Sequence, residues 1–135
     1  MSTVMSRRDL DFLLHEWLGT EELLARPRYA DHSRETVDAV LDLAEQIATA
    51  HFAPHNRASD LQEPTYDGST VTVIPEVAVA LQAFADAGFL TADVEEGSVL
   101  PSSVRAATMA WFQAANAGTS AYALLTSAAA NLLRK

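Results

Sequence analysis

Apolar positions along this chain recur at three- and four-residue spacings, the period of amphipathic helices rather than of strands. Leu10, Leu13, Leu14, Trp17 and Leu18 form the first such stripe and predict a helix over residues 6–18 that buries it. Asp9 and Asp11 lie early in that helix, where acids suit the helix dipole. Gly19 is the expected stop, Thr20 a candidate N-cap for a short turn to residue 25, and Pro27 its end.

Ser33 is a good N-cap for the best-formed helix, predicted to run to about residue 52. Val37, Val40, Leu41, Ala44, Ile47, Ala48 and His51 share one side of it. Glu35, Asp38, Asp42 and Glu45 share the other and read as a solvated face. Residues 53–74 hold Pro54, Pro64, Asp67-Gly68 and the alternating run VTVI, so they predict an extended excursion, with a turn at Asp67-Gly68 and a short strand pair. Pro75 starts a helix that ends at Gly88 and buries Val79, Ala80, Leu81, Phe84 and Ala87. A polar loop precedes Pro101. The next helix buries Val104, Ala107, Thr108, Trp111, Phe112 and Ala115, and Gly118 separates it from a last helix over 122–133. Arg134 and Lys135 complement the dipole of that last helix. The expected fold is an all-α bundle of five to six helices, one domain over residues 1–135, with a short extended excursion near 64–74.

Charge is unevenly distributed over this pattern. All 18 acidic residues lie between Asp9 and Glu96; with six Arg, the first 96 residues carry −12. From Ala106 to Leu133, 28 residues carry no Lys, Arg, Asp or Glu. A helix without a charged outer face needs cover on most sides, and a chain of 135 residues can supply little of it. The segment is therefore expected to be covered by a further domain, a partner subunit or a second copy. Gln113, Asn116, Gly118, Thr119, Ser120, Thr126, Ser127 and Asn131 interrupt it too often for a membrane span. The net charge of −9 excludes a cationic footprint for nucleic acid. The absence of Cys removes disulfides, thiolate metal sites and a Cys nucleophile, and fits a reducing cytoplasm; no secretory signal is visible.

The remaining candidate chemistry is sparse. His51 and His55 are four apart, as paired metal ligands on one helix face would be, with Asp60 and Glu63 as nearby oxygen donors; Pro54 stands between them and no Glu-x-x-His motif or third ligand completes the set. The plainer reading has His51 at the edge of the apolar stripe and His55 at the helix end. His15-Glu16 lacks the H-E-x-x-H pattern, and Ser102, Ser103, Ser120 and Ser127 lack a nucleophile context. No catalytic residue and no metal site is expected.

Several segments resemble, in family order, the N-terminal helical domain of acyl-CoA dehydrogenases, in particular the larger bacterial members with an N-terminal extension. They are DLDFLLHEWL (9–18), HFAPHNRASD (51–60), DGSTVTVIP (67–75), LQAFADAGF (81–89) and AANAGTSAYALLTSAAANLL (114–133). The resemblance implies a parent with a middle β-domain and a C-terminal helical domain. That parent would bind FAD and oxidise the Cα–Cβ bond of an acyl-CoA thioester: a carboxylate from the C-terminal domain takes the α-proton and the flavin takes the β-hydride. The resemblance places no catalytic residue in this chain and names no flavin-binding residue. It implies that Tyr122, Leu125, Thr126 and Ala129 face the acyl-chain cavity or its floor; plain core packing is the alternative for each. Relatives carry Gly-Gly and then Gly-Leu-Pro before the fifth helix, where this chain has DVEEGSVLP (93–101). Two readings follow. One is a domain of an FAD-dependent acyl-CoA dehydrogenase, inactive alone. The other is a stand-alone helical binding or scaffold subunit of the same ancestry that forms homo-oligomers through residues 106–133.

Overall fold

A computed structural model describes residues 4–91 and 99–133 of the chain. Residues 92–98 of the polar loop, and Arg134 and Lys135, lie outside the described residues. The fold is the all-α bundle expected, with one two-stranded excursion. Helix α1 (Arg7–Asp11) passes into a π turn (Phe12–Trp17), followed by α2 (Thr20–Leu24) and a 3-10 turn (Pro27–Tyr29). Helix α3 (Arg34–Ile47) continues through a π turn (Ala48–Phe52) and a 3-10 turn (Ala53–His55) into α4 (Asn56–Leu61). Strands β1 (Thr65–Tyr66) and β2 (Val71–Thr72) precede α5 (Pro75–Asp86), α6 (Ser102–Ala115) and α7 (Ala117–Leu133).

The first stripe is only half buried. Leu10 and Leu14 enter the core, whereas Leu13, Trp17 and Leu18 are exposed, Trp17 by 73%. The cause is the π turn, whose i→i−5 bond runs from Leu18 N–H to the Leu13 carbonyl. A wider turn advances fewer degrees per residue, so a face drawn on a 3.6-residue wheel drifts off the core. Gly19 stops the helix at φ +57, where a Cβ is penalised. It is also the N-cap of α2, so Thr20 is not. The buried Thr20 hydroxyl instead donates to the Leu14 carbonyl at 2.7 Å, satisfying an acceptor near the end of the π turn.

Helix α3 begins as its sequence predicts. The Ser33 hydroxyl accepts from Thr36 N–H, and the Thr36 side chain accepts in return from Ser33 N–H, completing a capping box. Val37, Leu41, Ala44 and Ala48 are fully buried against α6, but His51 is exposed and Phe52 takes the next buried position. Pro54 offers no amide donor, and the π and 3-10 turns around it let helical structure continue to Leu61. The extended excursion is therefore confined to the neighbourhood of 64–74 and does not start at residue 53. Its strands pair antiparallel, Thr65 with Thr72 and Tyr66 with Val71. Between them the Asp67 carboxylate accepts from the amides of Ser69 (2.8 Å) and Thr70 (2.7 Å), while Gly68 takes φ +99.

On α5 the buried positions are Val77, Ala80 and Phe84; Val79 points to solvent, and Leu81 and Ala87 are half buried. On α6 all six expected positions are buried. Phe52, Phe84, Phe89 and Phe112 form the aromatic centre of the core, with Phe84 and Phe112 edge to face at 4.8 Å and Phe52 and Phe112 at 5.0 Å. The α6–α7 break falls at Asn116, two residues before Gly118. Asn116 adopts extended backbone, and its side-chain oxygen accepts from Thr119 N–H at 3.0 Å, so α7 starts at Ala117 rather than Tyr122.

Candidate functional site

Helix α7 is anchored by its first two turns and left open beyond them. Thr119, Ser120 and Ala123 are buried where it meets α4, α5 and α6. The Thr119 hydroxyl shares a 2.8 Å hydrogen bond with Nε2 of the buried His55. The Asn116 amide donates to the Phe52 carbonyl at 3.3 Å. These contacts fix the start of α7 against the turns that follow α3. Among residues 124–133, only Ser127 and Ala130 are even half buried. Leu125 is 68% exposed and Leu133 87%, with Leu124 and Leu132 also exposed.

The four residues implicated by resemblance, Tyr122, Leu125, Thr126 and Ala129, recur at i, i+3, i+4 and i+7, which places them on one side of α7. All four are exposed, so none packs in the core of this chain. Tyr122 borders a cavity of about 340 Å³ with Asn56, Asp60, Val73, Ile74 and Val77. The Thr126 hydroxyl donates back to the Tyr122 carbonyl at 2.8 Å. On another side of α7, Leu124, Ser127, Ala128 and Asn131 form one wall of a groove of about 460 Å³; Phe84, Phe89, Leu100, Arg105 and Met109 contribute to the remainder. That lining is largely apolar, carries one cation and includes no carboxylate among the described residues.

His51 and His55 are not brought together as a metal pair: His51 faces solvent, while His55 is buried and bonded to α7. The structure instead assembles a polar cluster where the first helix meets α3, and there the acidic stripe is not uniformly solvated. Arg7 bonds Asp11 and Asp42 and lies near Asp38. His15, with its side chain 3% exposed, donates from Nδ1 to Glu21 at 2.8 Å, and its Nε2 is 3.5 Å from Asp38. Burial opposes the Arg7 charge, but hydrogen bonds to Asp11 and Asp42 outweigh it and raise the guanidinium above its ordinary pKa. The Glu21 carboxyl is held below its usual value by its backbone hydrogen bond and by His15 and Arg34. The Asp11–His15 spacing of four was visible in the sequence; the arrival of Asp38 from another helix was not.

No protein-family model matches the chain, and neither the curated proteins nor the solved structures include a match to it. Among the described residues, no helix is long and apolar enough to cross a membrane. Fold and surface together define a helical domain whose α7 leaves an uncharged, largely apolar outer half open.

Proposed function

We propose that this chain is the N-terminal helical domain of a cytoplasmic, flavin-dependent acyl-CoA dehydrogenase acting in fatty acyl-CoA oxidation, and that it is inactive alone. The observation that carries the reading is the bare outer half of α7, where exposed Leu124, Leu125, Leu132 and Leu133 lie in a run of 28 residues without charge. Fully burying side chains of this type is worth about 1.5–3 kcal/mol each, so the face favours a cover. The ordered segment resemblance names the cover as the other domains of the parent enzyme.

The described residues do not form a flavin cradle by themselves. The cavity beside Tyr122 carries the Asp60 carboxylate and no cation among the described residues, and the Thr126 hydroxyl is committed to the Tyr122 carbonyl. In the parent, FAD would supply the hydride acceptor and another domain the carboxylate base. The contribution of this chain would be an apolar wall against the acyl chain, offered by Tyr122, Leu125 and Ala129 beside Thr126.

The test is the intact mass and flavin content of the native product in its own cells. A polypeptide several times longer than 135 residues that copurifies with FAD supports the reading. A flavin-free product of this length overturns it and points to the stand-alone oligomeric subunit instead.

A further inference from the structure

The polar cluster between the first helix and α3 holds a buried ring nitrogen that no hydrogen bond satisfies. The His15 imidazole is nearly fully buried, with its Nδ1 hydrogen bonded to Glu21, yet its Nε2 has no hydrogen-bond partner. That nitrogen lies 3.5 Å from an Asp38 carboxylate oxygen, and one ligand atom each from Asp11, His15 and Asp38 lie within 4.8 Å of one another. Around them stand four carboxylates (Asp11, Glu21, Asp38, Asp42) and two guanidiniums (Arg7, Arg34). With a neutral imidazole, four negative and two positive charges leave −2.

We propose that Asp11, His15 and Asp38 form a divalent-cation site that takes zinc. A carboxylate can only accept, so Glu21 fixes the proton on Nδ1 and leaves the lone pair on Nε2, the nitrogen 3.5 Å from Asp38. Orientation of a ligating imidazole by a carboxylate on its other nitrogen is the usual outer-shell arrangement at metal centres. The donor set narrows the ion: one imidazole and two carboxylates suit zinc among the first-row dications, whereas calcium and magnesium favour all-oxygen sets. A dication also balances the local charge of −2. Arg7 pairs with Asp11 and lies near Asp38, so it competes with the ion for both carboxylates. The 3.5 Å between Nε2 and the Asp38 oxygen is longer than a good hydrogen bond.

The test titrates Zn²⁺ alone into the full chain near neutral pH by isothermal calorimetry. One equivalent should bind, H15Q and D38N should abolish binding, and E21Q should weaken it about 10–100-fold. Replacing the exposed His51 with Gln should leave it unchanged. Should the variants fail to fold, nitrogen NMR of the wild-type chain decides: zinc should shift His15 Nε2 far more than Nδ1. Absence of binding, undiminished binding in H15Q, or a response confined to His32, His51 or His55 overturns the proposal.

Discussion

His55 and Thr119 stand 64 residues apart in sequence and share a 2.8 Å hydrogen bond inside the protein. Both side chains are buried, so the bond ties the end of the α3 region to the start of α7 where water cannot substitute for either partner. The substitution T119V keeps the shape and removes the hydroxyl, leaving a buried ring nitrogen unsatisfied. It should cost about 1–3 kcal/mol in urea unfolding, whereas T119S, which keeps the hydroxyl, should lie close to wild type. Equal midpoints for T119V and wild type would show that the bond contributes nothing.

Asn116 performs two tasks at once, capping α7 through its side-chain oxygen and donating to the Phe52 carbonyl through its amide. N116A should lose the cap, worth about 0.5–2 kcal/mol, together with the buried bond. N116D keeps the capping oxygen but sets a carboxylate against the Phe52 carbonyl. It should therefore remain well below wild type in thermal unfolding, although Asp is as good an N-cap as Asn.

Phe112 contacts Phe52, Phe84 and Phe89 at ring centroid distances of 5.0, 4.8 and 5.4 Å. F112A should destabilise the fold by about 3–5 kcal/mol, the range for a buried Phe truncated in a tight core. Chemical denaturation monitored by Trp111 fluorescence would measure it, since that indole is fully buried beside Phe112 in the same helix.

Leu125 and Leu132 contribute little to the folded monomer because both are largely exposed. The double substitution L125E/L132E should change unfolding stability by no more than about 0.5 kcal/mol per site, as surface changes do. It should nevertheless abolish self-association of the isolated chain in light scattering. A large loss of stability would place these leucines in a core.

Asp67 accepts hydrogen bonds from the Thr70 and Ser69 amides, which lower its carboxyl pKa. A depressed folded-state value means that its contribution is fully present above the unfolded pKa, about 4, and is lost as pH falls through the lower folded value. Amide exchange at Ser69 and Thr70 should therefore accelerate in that acidic window. D67N, whose side chain does not titrate there, should remove the pH dependence.

Helix α6 was fully legible in the sequence; the stretches interrupted by π turns, and part of the face of α5, were not. Helix α6 has neither a Pro nor a π turn within it, and all six of its buried positions follow from the 3.6-residue period. The first helix carries an equally clean stripe, yet a π turn sends Trp17 and Leu18 to solvent. His51 and Phe52 exchange places for the same reason. Val79 lay on the expected face of α5, but Val77 is buried in its stead. The open face of α7 was foreshadowed by the absence of charge after Arg105. The buried pairings were not: His55 with Thr119, and His15 with Asp38, depend on tertiary contacts between elements that no local pattern relates.

At a rise of about 1.5 Å per residue, the ten residues from Leu124 to Leu133 extend α7 roughly 15 Å past its last fully buried side chain, Ala123. A helix held at one end behaves as a cantilever, so its amide protection should decay along its length, from near-global values around Ala123 to almost none at Leu133. The slope of that decay is a built-in occupancy gauge: whatever seats on the outer half, even without touching the core, would flatten the gradient.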